Sequence, residues 1–455
     1  MRKYFGTDGI RGEANKDLTV DIACRLGYAL GYFLKKKKEK DNNTKKTKII
    51  LASDTRISGY MLRSALSAGL NAMGVNIDFV GVLPTPAVAF LTRKKEADAG
   101  IMISASHNPA KDNGLKVFGP DGYKLPDEVE EEIEKLMDNY QELLKSPISG
   151  DKVGKFKYAA DEYYQYRDFL LSTVKGDFTG MKIIVDAANG SAYRIARDIF
   201  LSLGAEVVVI NDAPNGTNIN VKCGSTHPEI LTKVVVGYDA DLGLAYDGDA
   251  DRLIAVDRKG EIIDGDKIIT TLALLMKESG KLAGDKVVTT VMSNMGMEKY
   301  LDEKGIKLLR ADVGDRYVLE KMKEEGAVLG GEQSGHIILL DFATTGDGVL
   351  TSLKLVEALR DQKKYLDEMV KDIYEWPQIL INVKVDNDKK KTWNKNEKVV
   401  QYIAAKEKEI NGQGRILVRT SGTEPVIRVM VEGIKKEQIE KIAKEIADIM
   451  AEEMK

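Results

Sequence analysis

Residues 100–124 read GIMISASHNPAKDNGLKVFGPDGYK. The apolar residues 101–103 predict a buried strand. Pro109 biases Asn108 away from the helical region, and both residues favour a turn. Ser106 and His107 are therefore expected in a tight loop after the carboxyl end of a strand, where open α/β sheets form ligand crevices. A serine hydroxyl there can carry a transferred group; a polar turn between a strand and a helix is the alternative.

The pattern around this stretch occurs three times. A strand, helix, glycine, strand, helix and strand follow one another from Lys48, from Lys182 and from Lys286. Such alternation predicts βαβ units and parallel sheets, hence an α/β fold. The last strand of each copy runs into an unusual polar loop: the Ser106 loop, residues 247–252 (DGDADR) and residues 331–336 (GEQSGH). If the copies share a topology, these loops lie at equivalent sheet ends and can line one crevice.

The pattern changes after about residue 370. Short alternating strands and amphipathic helices there predict a smaller α+β domain. We therefore expect four domains: residues 1–150 with the Ser106 loop, 151–255 with the aspartate-rich loop, 256–370 with the loop at 331–336, and 371–455. The fold class is α/β, with three similar domains of parallel or mixed sheets and the C-terminal α+β domain.

Composition excludes several classes of protein. The formal charge of −3 gives no global basic field for nucleic acid. Cys24 and Cys223 form no disulfide framework, which fits a reduced, cytoplasmic protein. We expect neither a signal peptide at the N-terminus, MRKYFGTDGIRGE, nor a membrane partner, because no apolar run approaches about 18 residues. The lysine-rich residues 35–48 are expected to solvate a helix end.

The loop at residues 247–252 is a candidate metal site. Asp247, Asp249 and Asp251 would repel one another unless a cation neutralised them. Carboxylate oxygens suit Mg²⁺, Ca²⁺ or Mn²⁺ better than zinc. The alternative is a solvated acidic turn, which the apolar strand directly before the loop disfavours.

Other polar loops suggest binding of a phosphorylated sugar. The carboxylate, hydroxyl and imidazole of Glu332, Ser334 and His336 suit a polyol. A second loop, near residue 421, offers hydroxyls, backbone N–H groups and flanking guanidinium groups for an anion; its members are Arg419, Ser421, Gly422, Thr423 and Arg428. Lys116 lies ten residues after Ser106 and could serve as an acid, a base or a phosphate neutraliser, or be an ordinary surface lysine. His107 and His336 are candidate catalytic residues, and each could equally be a structural histidine.

Known catalytic motifs are missing from the sequence. It contains no P-loop, no G-x-S-x-G elbow, no H-E-x-x-H and no cysteine metal knuckle. A loop serine, a divalent-metal loop and a phosphate-binding loop together indicate phosphoryl transfer through a phosphoserine.

These loops resemble those of the α-D-phosphohexomutases, and the resemblance covers essentially the full length of the chain. The matching stretches are FGTDGIRG (5–12), ISASHNP (103–109), NGLK (113–116), DGDADR (247–252), GEQSGH (331–336) and RTSGTEPVIR (419–428). The glutamine at 333 resembles the glucosamine branch, since relatives acting on hexose phosphates more often carry methionine there. The resemblance implies four domains around a central cleft.

The resemblance also implies roles. Ser106 would bear the phosphoryl group and complete the coordination of Mg²⁺ held by Asp247, Asp249 and Asp251. Arg11 and Lys116 would lie beside the phosphoryl group, with Lys116 a candidate general acid or base. Other residues would contact the substrate: Glu332 and Ser334 at the sugar hydroxyls, His336 at the reacting oxygen, and Arg419, Ser421, Gly422, Thr423 and Arg428 at the phosphate that does not react.

The implied reaction interconverts glucosamine 6-phosphate and glucosamine 1-phosphate through a hexosamine 1,6-bisphosphate that turns around within the site. Three alternatives stay open: a phosphomannomutase or phosphoglucomutase with the same mechanism, a non-catalytic sugar-phosphate sensor, and a metal-dependent phosphatase. Whether the protein forms a homodimer also stays open.

Overall fold

The computed structural model describes residues 3–6, 8–145, 147–386, 390, 392–420 and 426–454. The chain forms two compact units. The larger comprises Met1–Met292 and Leu308–Lys371, and the smaller comprises Ser293–Lys307 and Asp372–Lys455. Within the described ranges, the strands form sheets of seven, five, four and three members. The first two sheets, and the third except for Lys307, lie in the larger unit.

The first sheet surrounds the Ser106 loop. Its strands are β1 (Phe5–Gly6), β2 (Gly9–Glu13), β3 (Lys48–Ser53), β4 (Asn76–Val82), β5 (Ala99–Ile103), β6 (Asp112–Phe118) and β7 (Phe156–Tyr158), in the order β1-β2-β6-β5-β3-β4-β7. The accompanying helices are α1 (Val20–Lys40), α2 (Gly59–Ala72), α3 (Thr85–Lys94), α4 (Asp127–Asp138), α5 (Tyr140–Leu143) and α6 (Glu162–Ser172). The central strands β3 and β5 pair in parallel and are buried, which explains their continuous apolar runs.

The second sheet ends in the aspartate-rich loop. Its strands are β8 (Lys182–Asp186), β9 (Glu206–Ile210), β10 (Leu242–Tyr246), β11 (Leu253–Asp257) and β12 (Ile262–Ile263), in the order β12-β11-β10-β8-β9. Its helices are α7 (Ile195–Ser202) and α8 (Glu229–Gly237). The parallel pairing of β10 with β8 brings the carboxyl ends of both strands to the same edge.

The third sheet repeats this plan. Its strands are β13 (Lys286–Thr290), β14 (Lys307–Ala311), β15 (Leu329–Gly331) and β16 (Ile337–Leu339), in the order β14-β13-β15-β16. The helices of this part of the larger unit are α9 (Gly265–Glu278), α11 (Asp315–Glu325), α12 (Gly348–Gln362) and α13 (Leu366–Val370), while α10 (Met295–Glu303) belongs to the smaller unit.

The smaller unit is α+β. Strands β17 (Gln378–Lys384), β18 (Gly414–Thr420) and β19 (Val426–Gly433) form an antiparallel sheet in the order β17-β19-β18, with helices α14 (Glu397–Glu409) and α15 (Lys436–Glu453). Val399, Ile427 and Ile442 are buried in its core. Helix α10 joins it because the Met295 N–H donates to Glu432 Oε1 at 2.8 Å. The predicted fold class is confirmed, whereas the four domain boundaries stay a prediction.

All three polar loops connect antiparallel strands. Strand β5 pairs antiparallel with β6, β10 with β11, and β15 with β16. The sheets are therefore mixed, with parallel strands in the βαβ units and an antiparallel neighbour across each polar loop, because parallel pairing needs a crossover of about a dozen residues. The segments 104–111, 247–252 and 332–336 are shorter than that, so the chain doubles back and each polar loop is a hairpin turn.

Two other expectations concern disulfide bonds and membrane-spanning helices. Both cysteines, Cys24 and Cys223, are free thiols. Over the ranges that the structure describes, no helix has the length and apolarity needed to cross a membrane. The lysine-rich tract comprises the end of α1, as predicted, then the exposed residues 41–46, the buried Thr47 and the first residue of β3, Lys48.

Candidate active site

Ser106 occupies the turn between β5 and β6 and is only 2% exposed. Its Oγ donates a 2.6 Å hydrogen bond to Oδ2 of Asp247, and Nδ1 of His107 lies 3.4 Å from the same hydroxyl. Its N–H donates to Oγ of Ser104 at 2.9 Å. The φ angle of Ser106 is +52°, a left-handed conformation that costs a non-glycine residue roughly 1–2 kcal/mol. Such strained residues cluster at active sites.

The three aspartates form a buried cluster after β10. Asp247, Asp249 and Asp251 are 1%, 0% and 5% exposed, and one ligand atom from each lies within 4.8 Å of the others. Oδ1 of Asp249 and Oδ1 of Asp251 have no hydrogen-bond partner among the described residues. Buried carboxylate oxygens without donors are unfavourable, and a cation satisfies them. The cluster is therefore able to hold a metal ion, and the alternative of a solvated acidic turn is wrong.

Electrostatics lead to the same conclusion. Burial, and then the carboxylates of Asp251 and Asp249, raise the pKa of Asp247 well above its usual range. Burial would also raise the pKa of Asp251, but Lys116 and His336 outweigh it and lower that pKa. Three carboxylates in this space repel one another, and a bound cation removes the repulsion.

Lys116 lies inside the same cluster. It pairs with Met102 across β5 and β6 and is 1% exposed. Its Nζ is 2.7 Å from Asp249 Oδ2 and 3.2 Å from Asp8 Oδ2. Burial disfavours the ammonium, but these carboxylates outweigh burial and raise the pKa of Lys116. Lys116 is therefore no ordinary surface lysine, and it remains charged at neutral pH.

Arg11 reaches the cluster through Asp8. The Arg11 guanidinium and the Lys124 ammonium both form ion pairs with the Asp8 carboxylate. Burial would raise the pKa of Asp8, but Lys116, Lys124 and Arg11 outweigh it and hold that pKa well below its usual range. The cations around Asp8 are thus held close together beside the aspartate cluster.

The two candidate histidines are in different electrostatic environments. Burial, followed by the charges of Arg252 and Arg11, lowers the pKa of His107 to about 4. Burial would also lower the pKa of His336, but Asp251 outweighs it and raises that pKa to about 9. Nδ1 of His336 faces Asp251 Oδ2 at 3.5 Å, and the Gly346 N–H donates to Nε2 at 3.1 Å. The Asp251 contact places a proton on Nδ1 of His336, and the hydrogen bond that Nε2 accepts from Gly346 describes the neutral imidazole, which predominates above about pH 9.

Glu332 and Ser334 lie in the same turn as His336. An isolated antiparallel bridge between Arg252 and His336 joins this turn to the aspartate-rich loop. Oε1 of Glu332 accepts a 3.2 Å hydrogen bond from the Gly314 N–H, and Ser334 is exposed. The structure therefore brings the three polar loops of the larger unit together, as the repeat predicted.

Two of the residues predicted to bind the second phosphate, Arg419 and Arg428, lie in the smaller unit. Arg419 on β18 is directly opposite Arg428 on β19 in the antiparallel register. Ser421, Gly422 and Thr423 fall outside the described residues. The phosphate-binding role of this group stays a prediction.

Several residues of the site were not predicted from the sequence. Thr85, at the start of α3, donates through its N–H to Asp249 O at 2.9 Å and through its hydroxyl to Asp249 Oδ2. Lys124 forms ion pairs with Asp8 and with Asp315. The P-T-P sequence around Thr85 follows a strand, which is the signal that identified Ser106 and could have identified Thr85.

Asp347 caps the N-terminus of α12 and precedes a backbone contact with the aspartate-rich loop. Its Oδ1 accepts from the Leu350 N–H at 2.9 Å, and its Oδ2 accepts from the Tyr166 hydroxyl at 2.7 Å. The Gly348 N–H that follows donates to Ala250 O at 3.0 Å. Burial raises the pKa of Asp347 to about 6 despite these hydrogen bonds.

An Asp347→Asn variant should gain stability over the wild type as the pH rises. A carboxyl with a pKa of about 6 in the folded state, against the 3.8 of an unperturbed aspartate, stabilises the fold most below about pH 4. That contribution falls between pH 4 and 6 and is lost above pH 6. The free energy of unfolding of Asp347→Asn minus that of the wild type should therefore increase by up to about 3 kcal/mol from pH 4 to pH 7. Urea denaturation at both pH values measures this difference, and a constant difference would contradict the expectation.

The family models that match this chain describe four consecutive domains of one family. Phosphoglucomutase/phosphomannomutase alpha/beta/alpha domains I, II and III match residues 2–144, 161–260 and 264–376, and the C-terminal domain matches residues 380–449. The chain belongs to the phosphoglucomutase/phosphomannomutase family, which confirms the resemblance of its loops to the phosphohexomutases. It is therefore an intramolecular phosphotransferase, a class of isomerase.

Named relatives match the whole chain. The phosphoglucosamine mutase of Fusobacterium nucleatum subsp. nucleatum is 66% identical over 454 residues, 100% of both chains. The phosphoglucosamine mutase of Clostridioides difficile is 48% identical over 454 residues, again 100% of both chains.

Solved structures show the same fold at lower identity. A phosphoglucomutase/phosphomannomutase family protein from Burkholderia thailandensis is 24% identical, with a TM-score of 0.81 over 99% of this chain and 98% of that one. The Aspergillus fumigatus N-acetylphosphoglucosamine mutase in complex with GlcNAc-6P and magnesium is 18% identical. Its TM-score is 0.67, and the match covers 100% of this chain and 96% of that one.

Proposed function

We propose that this protein interconverts glucosamine 6-phosphate and glucosamine 1-phosphate, passing the phosphoryl group through Ser106 and a sugar 1,6-bisphosphate. The observation that carries the proposal is the 2.6 Å hydrogen bond from Ser106 Oγ to Asp247 Oδ2. It places a buried hydroxyl against a carboxylate cluster able to hold a metal ion. The full-length identity of 66% to a phosphoglucosamine mutase supports a hexosamine as the sugar.

Magnesium is the cofactor that we infer for the aspartate cluster. Asp247, Asp249 and Asp251 would hold it, with an oxygen on Ser106 as a further ligand. When bound, Mg²⁺ neutralises negative charge on the transferring phosphoryl group. Oδ1 of Asp249 and Oδ1 of Asp251 accept no hydrogen bond within the described residues, which supports this assignment, as does the magnesium in the Aspergillus fumigatus complex.

Ser106 is the donor in the first half of the reaction and the acceptor in the second. The bond between Ser106 Oγ and phosphorus breaks as O1 of glucosamine 6-phosphate bonds to phosphorus. O1 passes its proton to a base in the site, and Ser106 Oγ gains a proton and becomes a hydroxyl. The 6-phosphoryl group of the bisphosphate then returns to Ser106, whose own hydroxyl proton leaves while O6 gains one. Asp247 Oδ2, at 2.6 Å, and His107 Nδ1, at 3.4 Å, lie close enough to take the Ser106 proton.

The cations beside Ser106 stabilise the group in transit. Lys116 and Arg11 lie around Asp8, where they would face the phosphoryl oxygens. We assign Lys116, whose ammonium lies against Asp249, to charge stabilisation, and it is also the candidate general acid or base.

The remaining predicted residues would hold the substrate. Glu332 and Ser334 would bind sugar hydroxyls, with His336 near the reacting oxygen. A separate group would bind the phosphate that does not react, at either end of the sugar: Arg419, Ser421, Gly422, Thr423 and Arg428. The bisphosphate must turn around between the two half-reactions, so this group must accept both phosphates.

A substrate panel tests the proposal. We expect kcat/KM for glucosamine 6-phosphate to exceed the values for glucose 6-phosphate and mannose 6-phosphate by about 100-fold or more, since buried polar groups discriminate strongly between an amine and a hydroxyl. Equal turnover of a hexose phosphate would instead indicate a phosphoglucomutase or phosphomannomutase. Release of inorganic phosphate in step with substrate loss would indicate a phosphatase. Binding of the sugar phosphates without turnover would indicate a sensor.

A further inference from the structure

Two side chains outside the catalytic set bind the same two backbone oxygens of the Ser106 loop. Nη2 of Arg56 donates to Ser106 O at 2.9 Å and to Asn108 O at 2.8 Å. Nδ2 of Asn220 donates to Ser106 O at 2.8 Å and to Asn108 O at 3.0 Å. Arg56 follows β3 and Asn220 lies between β9 and α8, so two distant parts of the larger unit hold one loop.

The Arg56 guanidinium belongs to a closed network behind the loop. Its Nε donates to Asp54 Oδ2 at 2.9 Å, and the same carboxylate oxygen accepts from Ser104 Oγ at 2.6 Å. Ser104 Oγ in turn accepts from the Ser106 N–H. Arg56 and Asp54 are 2% and 3% exposed. Nη1 of Arg56 reaches two more carbonyl oxygens of the loop, those of Pro109 and Asp112.

We propose that Arg56 and Asn220 are positioning residues for phosphoryl transfer, an inference that rests on the proposed role of Ser106. The Ser106 N–H is held by Ser104, and its carbonyl is held by Arg56 and Asn220. Both peptide groups beside Ser106 are thereby fixed, which fixes its left-handed backbone and the direction of its Cα–Cβ bond. Oγ is then held towards Asp247 before substrate arrives. Displacing a reacting atom by about 1 Å can lower a rate about 100-fold.

Substitutions of Asn220 test the proposal directly, because the side chain contacts the Ser106 loop through its amide nitrogen. Among the described residues its Oδ1 has no hydrogen-bond partner. Asn220→Asp therefore keeps the shape and removes both donors, and Asn220→Ala removes them without adding charge. Asn189→Asp is the matched control: Asn189 is equally buried at 8%, and its side-chain hydrogen bonds run to Ala213, Asn218 and Cys223.

The experiment measures three quantities for the full-length wild type and each variant. They are kcat and KM for glucosamine 6-phosphate, the rate at which glucose 1,6-bisphosphate phosphorylates Ser106, followed by intact mass, and the thermal unfolding midpoint. Both Asn220 variants should lower kcat and the phosphorylation rate about 10- to 100-fold, with KM within about threefold of wild type. Asn189→Asp should stay within about twofold on every rate.

Arg56→Lys extends the test to the other side of the loop. Lysine keeps the charge but cannot reproduce the planar set of donors that reaches several carbonyls, so kcat should again fall with little change in KM. A purely structural role would lower the unfolding midpoint while leaving both rates intact.

Wild-type rates in both Asn220 variants, or equal losses in Asn189→Asp, would overturn the proposal. The phosphorylation assay separates this inference from the proposed function, because it does not require turnover of a hexosamine. If the wild type fails on glucosamine 6-phosphate while the Asn220 variants still slow phosphorylation of Ser106, the proposed function fails and the positioning role stands.

Discussion

A Ser106→Ala variant is expected to lose at least about 10⁴-fold in kcat while it still binds glucosamine 6-phosphate. The variant removes the only atom that can carry the phosphoryl group in the proposed mechanism. Within the described residues, its Oγ has hydrogen-bonding partners in Asp247 and His107 alone, so little else in the fold depends on the hydroxyl. A coupled assay for glucosamine 1-phosphate, with substrate binding measured by calorimetry, gives the two quantities.

The control for this variant is another buried serine close to the same loops. Ser191 is 1% exposed, its Oγ has no hydrogen-bond partner within the described residues, and its N–H donates to Gly248 O at 2.8 Å. Ser191→Ala keeps that backbone contact and should retain kcat within about twofold. Near-normal activity in Ser106→Ala would exclude Ser106 as the carrier, whatever the structure of its surroundings.

The polar loops could be found from sequence because each contrasts with the strand before it. An apolar run such as residues 101–103 is recognisable without any knowledge of its neighbours, and the polar residues after it must lie at the strand end. The threefold recurrence of this pattern then placed Ser106, Asp247 and His336 at equivalent positions. Local signals repeated along the chain were enough for that part of the site.

The strand that follows the Ser106 loop, and its antiparallel pairing with β5, could not be predicted from the sequence. Strand β6 (Asp112–Phe118) contains Asp112, Asn113 and Gly114, which are unfavourable in strands, so the segment looks like a loop. Its pairing with β2 and β5 overrides this local preference and places Lys116 in the interior. Tertiary contacts of this kind leave no periodic signal in the sequence.

The residues that hold the Ser106 loop were missed for a related reason. Arg56 and Asn220 each look like ordinary polar residues in a connecting segment. Their partners are 50 or more positions away, from Arg56 to Ser106 and from Asn220 to Ser106. The S-D-T-R sequence after β3 does follow a buried strand, and treating it like the other strand ends would have identified Asp54 and Arg56.

An Asp249→Asn variant should need at least about tenfold more Mg²⁺ for half-maximal activity and should lose about 100-fold in kcat. Each carboxylate oxygen of Asp249 has its own role in the proposed site: one accepts hydrogen bonds and the other binds the cation. Oδ2 accepts from Lys116 at 2.7 Å and from Thr85, while Oδ1 is available to the cation. An amide has one oxygen, so it can serve the donors or the metal ion but not both.

Asp257→Asn provides the comparison for that variant. Asp257 is 3% exposed on β11, and its Oδ1 accepts from the N–H groups of Lys259 and Glu261 in the turn that follows. Asparagine can accept both hydrogen bonds, so this variant should keep the wild-type Mg²⁺ requirement. Calorimetric titration with Mg²⁺ measures binding independently of turnover. If Asp249→Asn bound Mg²⁺ as tightly as the wild type and Asp257→Asn do, the aspartate cluster would not be the metal site, and the charge of Asp249 would serve only to hold Lys116.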